Sequence, residues 1–241
     1  MANVIKLRKG LDVNLKGKAA KEEFQVKKPA VYALMPDDFT GMKPKVVVKE
    51  NDVVKVGDSL FVDKNHPEIK FVSPVSGRVT MVERGDRRKV LSVRVEADAE
   101  QQYVDFGKKN VGQMTAQEVK DLLLESGLFG FFRQRPYDVT ANPSDTPKAI
   151  FVSAFNSMPL AADFEYVLRG READFQAGLD ALAKMAKTYL GVSSKQTATA
   201  LTAAKNVEIN FFDGPAPAGN VGVQINRVSP INKGEVVWTL G

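Results

Sequence analysis

The chain has 241 residues, of which 44% are hydrophobic and 26% charged. This length and this ordinary globular composition predict two modest domains with real cores and exclude a mostly disordered chain. The sequence contains no cysteine, which excludes disulfide bonds, thiolate zinc sites and cysteine-ligated iron–sulfur clusters. Its one histidine, His66, precedes Pro67 in a predicted turn, where a histidine is usually only solvated.

The net charge of +5 is concentrated near the N-terminus. Residues 1–28 contain eight Lys or Arg and three Asp or Glu, whereas the rest of the chain contains 26 of each kind and is neutral. Phe24 is the only aromatic residue in this segment, so the pattern lacks the interleaved aromatics of a nucleic-acid-binding face, and we predict no nucleic-acid partner. We interpret the segment as a solvated face or a surface for a protein partner.

No segment of the sequence is typical of a signal peptide or a membrane span. The first residues are basic and lack a continuous apolar stretch, and no uncharged apolar run approaches roughly 20 residues. The uncharged run at residues 149–162 contains Asn156, Ser157 and Pro159, which is typical of a strand followed by a loop. We therefore expect a soluble, cytoplasmic chain whose contact with any membrane is peripheral.

Short β-strands separated by turns are predicted from residue 30 to about residue 100. The turns recur about every 8–12 residues, which is typical of an all-β sandwich or barrel. The strands are predicted at residues 46–48, 53–56, 59–62, 69–72, 78–82 and 90–95.

The stretches VKENDVVKVGDSLF and SPVSGRV resemble the biotinyl- and lipoyl-carrier domains, whose fold is the barrel-sandwich hybrid. In that family a modified lysine lies at the tip of a hairpin. Here the tip falls at Pro67 and Glu68, with Lys64 and Lys70 at other offsets. We expect the fold without the carrier chemistry, and a carrier-fold binding module stays as an alternative.

The second half of the chain alternates predicted strands and helices. Thr115 and Glu118 have the spacing of a capping box before the first helix, and Gly127 is a predicted helix stop. The order of strands and helices predicts a parallel, Rossmann-like sheet. The strands are predicted at residues 149–154, 189–192, 207–212 and 236–240, and the later helices at residues 172–187 and 195–205.

The predicted parallel sheet lacks a nucleotide-binding fingerprint. The turn after its first strand, at residues 155–159, contains no glycine, and Pro159 removes a backbone N–H donor. Neither GxGxxG nor a P-loop occurs in the sequence. We therefore predict α+β / α/β architecture in which the Rossmann-like domain carries no dinucleotide.

Several stretches together resemble the A subunit of the bacterial Na+-translocating NADH:quinone oxidoreductase. The most distinctive are ESGLFGFFRQRPYD and GPAPAGNVGVQIN. On this resemblance we divide the chain into a basic segment at residues 1–29, a barrel-sandwich hybrid at 30–100 and a Rossmann-like domain at 101–241. We expect it to be the N-terminal half of a longer protein, with an apolar surface left exposed near Trp238. The stretches lie at residues 5–17, 41–64, 71–88, 125–138, 149–163, 175–182 and 214–226.

The resemblance implies a peripheral protein on the cytoplasmic face of the bacterial inner membrane. Such a protein packs on the membrane-embedded B subunit and contributes to assembly and to quinone binding and reduction. It carries no redox centre, because FAD, FMN, riboflavin and the iron–sulfur centres belong to other subunits of the complex. We predict no catalytic residue and no metal ligand in this chain, which is not catalytic in isolation.

The family is also similar in fold to the FMN- and NADH-binding subunit of respiratory complex I, so a flavin- or NADH-binding electron-transport subunit is the alternative function. In that relative a glycine-rich loop after Ser-Gly-Leu cradles the FMN phosphate. Here bulky aromatics follow Leu128, and a chain with Cβ atoms lacks the same close backbone approach. We expect no FMN there. The candidates for an apolar ligand site or for core packing are Phe129, Phe131 and Phe132, and those for surface or partner contacts are Arg133 and Arg135.

A second candidate contact lies in the Gly/Pro-rich stretch at residues 214–226. Family members often carry histidines there, whereas this chain has Ala216, Gln224 and Asn226 and therefore no titratable group. The stretch is interpreted either as a loop between domains or as a ligand or partner contact. Its candidate residues are Gly214, Pro215, Pro217, Gly219 and Gly222.

Overall fold

The computed structural model describes residues 4–13, 15–17 and 20–241. Short 3-10 helices lie at Pro36–Asp38, Asp86–Arg88, Val111–Gln113 and Leu128–Phe131. The strands are β1 (Val4–Lys6), β2 (Val31–Leu34), β3 (Pro44–Val46), β4 (Val53–Val54), β5 (Ser59–Asp63), β6 (Lys70–Val72), β7 (Gly77–Arg84), β8 (Val90–Ala97), β9 (Arg133–Arg135), β10 (Val139–Thr140), β11 (Ile150–Ser153), β12 (Thr188–Ser193), β13 (Glu208–Asp213) and β14 (Val237–Leu240). The α-helices are α1 (Ala116–Glu125), α2 (Phe164–Val167), α3 (Glu172–Met185), α4 (Thr199–Thr202) and α5 (Val221–Val228).

The chain packs into two compact units. We call one the β unit, formed by Gln25–Lys109 and Lys120–Asp145. The other is the α/β unit, formed by the described residues of Met1–Phe24 together with Asn110–Val119 and Thr146–Gly241.

The β unit contains two antiparallel sheets. One has the strand order β2-β8-β7-β4 and the other the order β3-β5-β6. More and less exposed residues alternate along β2, β3 and the first half of β7, as expected of strands with one face on a core, whereas β5 is buried from Leu60 to Asp63. The all-β fold predicted from the turn spacing and the barrel-sandwich hybrid implied by the resemblance are both confirmed, although β3 begins two residues before the predicted strand. Its core includes the fully buried side chains of Leu60, Phe61, Val79 and Val93.

The α/β unit is built on a parallel sheet with the strand order β1-β13-β12-β11-β14. Leu179 of α3 and Leu201 of α4 pack on one face of the sheet with Leu190. Ile225 of α5 packs on the other face with Phe151. Helices on both faces and parallel strands are what the Rossmann-like pattern predicted, so that prediction is confirmed.

The basic N-terminal segment contributes a strand that the sequence analysis missed. Val4 to Lys6 pair in parallel with Phe211 to Asp213 at the edge of the sheet. Leu7 then packs on Phe212 in a small core cluster. The strand is only three residues long and its partner β13 lies far along the chain, so the segment itself gave no sign of it.

The predicted helix at residues 195–205 is wrong, because only Thr199–Thr202 is helical. The Gln196 side chain accepts hydrogen bonds from the backbone N–H groups of Thr197 and Ala198, at 2.9 Å each. These local bonds hold residues 196–198 in a turn that precedes the short helix, and β-branched threonines are poor helix formers.

The predicted capping box at the start of α1 is confirmed. The Thr115 backbone N–H donates to the Glu118 carboxylate at 2.7 Å, and the Glu118 N–H donates to the Thr115 hydroxyl at 3.3 Å. We expect Thr115→Ala to lower the free energy of unfolding by about 1 kcal/mol. Thr115→Ser keeps the capping hydroxyl and should keep the free energy of unfolding of the wild type. Urea unfolding followed by circular dichroism measures both, and equal stability of the alanine variant and the wild type would contradict the prediction.

Trp238 lies in β14, beside Ile150 of β11. Trp238 is 1% exposed and is therefore not itself part of the apolar surface that was expected near it. Its position within the parallel sheet places the indole in the core.

Candidate functional site

The aromatic turn, residues 128–132, holds the first group of candidate residues. Phe129 and Phe132 are buried and stack on each other, with ring centroids 5.3 Å apart. Phe131 is different, since it is 59% exposed and its ring lies edge-on to Phe39 at 6.0 Å. Two of the three phenylalanines therefore hold the turn in place, and the third presents an apolar ring at the surface of the β unit.

The glycines of this turn are explained by packing. Gly127 has a φ of 77°, the left-handed conformation that ends α1 as predicted. A Cβ atom on Gly127 would lie 2.5 Å from Val72, and one on Gly130 would lie 2.8 Å from the Phe71 ring. The backbone therefore approaches the side chains of β6 closely, and Gly130 serves that approach rather than a phosphate cradle.

An arginine pair follows the aromatic turn on β9. Arg133 donates from Nε to the Asp138 carboxylate at 3.1 Å, and Arg135 Nε lies 3.5 Å from the same oxygen. The Arg135 Nε is buried and makes no hydrogen bond to any described residue. One carboxylate thus lies close to two guanidinium groups.

The two arginines lower the pKa of the Asp138 carboxylate. The hydrogen bond from Arg133, and then the charges of both arginines, lower the pKa of Asp138 below its usual 3.8, against an opposing effect of burial. A depressed pKa in the folded protein stabilises the fold above the usual pKa, and this contribution is lost as the pH falls through the depressed value.

We expect Asp138→Asn to reduce the free energy of unfolding at pH 7 by less than about 1 kcal/mol, since the pair is partly exposed and screened. Asparagine tolerates the positive φ of 54° at this position, so the backbone is not strained by the change. The difference from wild type should shrink as the pH drops below 3.8. Urea unfolding at a series of pH values tests this, and a difference that does not change with pH would count against the ion pairs as its cause.

The Gly/Pro-rich candidate stretch divides into a turn and a helix, and both lie within the α/β unit. The interpretation of residues 214–226 as a loop between domains is therefore wrong from Val221 onward, where α5 begins. The Asn220 side chain caps the helix by accepting from the Gly222 N–H at 2.8 Å. An Asx cap cannot be identified with certainty in a glycine-rich sequence, and the helix was missed for that reason.

The turn before α5 is tied to the N-terminal segment. The backbone N–H of Leu11 donates to Ala216 O at 3.0 Å, and the Ala216 N–H donates to the Asp12 carboxylate at 2.7 Å. Gly214 has a φ of 135°, and a Cβ atom there would collide with the carbonyl oxygen of Leu7. Pro215 and Pro217 flank the bonded Ala216 in this turn.

Gly219 brings this turn onto the loop that follows β11. A Cβ atom on Gly219 would collide with the backbone nitrogen of Ser157. The Gly219 N–H donates to the Ser157 hydroxyl at 3.1 Å. Both loops follow the carboxyl ends of parallel strands, where Rossmann-like folds bind ligands, but here they are packed against each other.

Gln224 on α5 is 1% exposed and lies against the backbone of Gly191 on β12. Its Nε2 donates weakly to Ala218 O at 3.4 Å, while its Oε1 is buried without a hydrogen bond from any described residue. No motif pointed to this buried amide. Only the resemblance drew attention to the position, as one where family members often carry a histidine.

The carrier-like hairpin between β5 and β6 places no lysine at its apex. Asp63 is buried and its carboxylate accepts from the N–H of Asn65 at 3.0 Å. His66 lies 3.7 Å from the Glu68 carboxylate in the turn. Within residues 4–13, 15–17 and 20–241, no group of three or more His, Cys, Asp or Glu residues is arranged to hold a metal ion.

In the described part of the chain, no helix combines the length and the apolar character needed to span a bilayer.

These features define a class of protein: a barrel-sandwich hybrid and a Rossmann-like α/β domain, in which the loops after β11 and β13 pack against each other. Two family models match the chain in order. Residues 5–98 match the NqrA N-terminal barrel-sandwich hybrid domain, and residues 114–241 match the NqrA second alpha/beta domain. The chain belongs to the NqrA family.

The chain is similar to proteins named as the A subunit of Na(+)-translocating NADH-quinone reductase. It is 35% identical to that of Yersinia pestis over 99% of this chain and 54% of the relative. The identity is 34% to that of Pseudomonas aeruginosa, over 98% of this chain, and 36% to that of Saccharophagus degradans, over 99%, again with 54% of each relative covered. The chain thus spans about half the length of the curated relatives it matches. The predicted resemblance to the N-terminal half of these proteins is confirmed.

Proposed function

We propose that this chain acts as part of the peripheral NqrA subunit of a Na+-translocating NADH:quinone oxidoreductase, on the cytoplasmic face of the bacterial inner membrane. The observation that carries the proposal is the ordered match of both family domains across the chain. The relatives are named as subunits of a Na(+)-translocating NADH-quinone reductase, and from these names we take the reaction and the transported ion. On this proposal the chain holds no redox centre, and FAD, FMN, riboflavin and iron–sulfur centres reside in other subunits.

Within this function we propose that the aromatic turn contributes to quinone binding. A quinone ring is flat and largely apolar, and it stacks favourably on an exposed aromatic side chain. Phe131 has such an exposed ring, next to Phe39. The buried rings of Phe129 and Phe132 stack on each other and hold the turn in place. The quinone carbonyls accept hydrogen bonds, and the guanidinium groups that follow the turn are donors without any acceptor function.

We propose the arginine pair as the contact for the membrane-embedded B subunit. Arg133 and Arg135 both lie beside the Asp138 carboxylate, and two neighbouring guanidinium groups attract a further carboxylate from another protein of the complex. Arginine forms planar, paired hydrogen bonds with carboxylates, which favours it over lysine at such contacts. The Gly/Pro turn at residues 214–219 is a weaker candidate, because its glycines already serve close packing within the α/β unit.

The flavin- or NADH-binding alternative receives less support. It requires backbone open to a phosphate, whereas Gly130 lies against Phe71 and the loop after β11 is covered by Gly219. A carrier function requires a lysine at the hairpin apex, where Pro67 and Glu68 stand.

The proposal is tested by tagging the full-length protein in its native host and extracting the membranes with a mild detergent. Co-purification of a flavin-containing, multi-subunit complex with Na+-stimulated NADH:quinone reduction is the expected result. Recovery of the protein alone and inactive from the soluble fraction would show that only the fold is shared. A stoichiometric flavin on the separated protein would support the alternative instead.

A further inference from the structure

The hairpin between β7 and β8 ends in a turn whose two central residues are arginines with positive φ angles, a conformation that arginine disfavours. Lys89 donates its backbone N–H to Asp86 O at 3.1 Å, which closes a four-residue turn, and the Gly85 N–H donates to Lys89 O at 2.8 Å. The two central residues both have positive φ, 53° at Arg87 and 61° at Arg88. This is the pattern of a type I′ turn, which strongly prefers Asn-Gly.

Arginine at both central positions strains the hairpin. Its Cβ atom disfavours the left-handed region, where Asn and Gly are tolerated. Two consecutive departures from the local preference are expected where the side chains provide a function that compensates for the strain. Arg87 and Arg88 are both exposed, so packing does not provide that compensation.

The tip carries excess positive charge. Residues 84–89 contain Arg84, Arg87, Arg88 and Lys89 against one acidic residue, Asp86. Lys89 is neutralised by Asp37 at 2.6 Å, and neither Arg87 nor Arg88 has an ion-pair partner among the described residues. Two positive charges therefore remain uncompensated at the tip.

Two exposed apolar side chains lie on the segments that adjoin the tip. Leu91 is 37% exposed, and a Cβ atom on Gly85 would lie 3.1 Å from its Cδ1 atom. Met35, which is also exposed, precedes the 3-10 helix whose Asp37 holds Lys89. Guanidinium groups next to isolated aliphatic side chains suit the headgroup region of a bilayer, where phosphates and acyl chains lie close together.

We propose that this hairpin tip docks on an anionic phospholipid surface, with Arg87 and Arg88 bound to lipid phosphates and Leu91 at the headgroup level. A hairpin end is convex and fits a flat anionic surface, whereas capture of a small free anion needs a concave site. Guanidinium groups bind phosphate through paired hydrogen bonds. The inference goes beyond the proposed function, since the binding requires neither quinone nor another protein of the complex.

The test uses the purified chain and vesicles of phosphatidylcholine with or without phosphatidylglycerol, measured by sedimentation. The wild type should bind only the vesicles that contain phosphatidylglycerol, and less at high salt. Arg87→Asn combined with Arg88→Gly should weaken this binding by about 30-fold, from the contribution of each basic residue near an anionic surface. The same double variant should unfold at a higher temperature, because Asn-Gly removes the strain of the turn.

The matched control removes two positive charges elsewhere in the β unit, by Lys108→Gln with Lys109→Gln. It should bind the vesicles nearly as well as the wild type. An equal loss in the control would overturn the proposal, because binding would then follow net charge alone. Lack of wild-type binding to phosphatidylglycerol vesicles, with binding to a polyglutamate peptide instead, would overturn it in favour of an acidic protein partner. Failure of the vesicle assay would leave co-purification with the oxidoreductase unaffected, so the two proposals fail separately.

Discussion

Gly214→Ala is expected to destabilise the α/β unit by about 2–4 kcal/mol, a large effect for the addition of one methyl group. The new Cβ atom would collide with Leu7 O, and the φ of 135° at this position is strained for any residue with a side chain. Relief of the collision requires the strand-end segment after β1 to move away. That movement would break the bonds from Leu7 to Asp213 O and from Leu11 to Ala216 O.

The effect is measured by urea unfolding and by limited trypsin digestion at Arg8 and Lys9, which should become faster in the variant. Gly178→Ala is the matched control. Gly178 lies within α3 with no atom within 4 Å of an added Cβ, so alanine should stabilise the helix by up to about 1 kcal/mol. Unchanged stability and unchanged trypsin digestion of Gly214→Ala would show that the N-terminal segment does not depend on this glycine.

Both domains could be predicted from the sequence because their signals are local. The strands of the β unit are separated by turns, and the capping box of Thr115 and Glu118 fixed the start of α1. The strands β11 and β12 are short and largely buried, and such strands indicate a parallel sheet when helices alternate with them. In these cases local preference and tertiary packing agree.

The missed elements depend on distant partners. β1 is only three residues long and basic at its end, and its pairing with β13 joins residues more than two hundred positions apart in the sequence. No local pattern could have predicted that pairing. The helix predicted at residues 195–205 is shorter for a local reason, because the backbone N–H groups of Thr197 and Ala198 donate to the Gln196 side chain and form a turn before α4.

The candidate residues were selected from the sequence as groups, and only the structure distinguishes their members. Phe129 and Phe131 are the same amino acid two positions apart, yet one is buried and the other is exposed. Arg87 and Arg88 drew no attention in the sequence, because a basic hairpin tip is ordinary. Only the structure shows that both arginines have positive φ angles, which their side chains disfavour.

Substitutions in the aromatic turn should separate packing from binding. We expect Phe129→Ala to cost about 3–5 kcal/mol of folding free energy, since it removes a fully buried ring that stacks on Phe132. Phe131→Ala removes a ring that is 59% exposed, so the loss should stay below about 1 kcal/mol. If Phe131 contacts quinone, the same variant in the assembled complex should raise the KM for quinone while the complex keeps its flavin content.

Tyr137→Ala is the control, since Tyr137 is 84% exposed in the turn that follows β9 and should change neither stability nor KM. A Phe131→Ala complex with wild-type KM would exclude this ring from the quinone site, and the turn would then be structural through Phe129 and Phe132 alone.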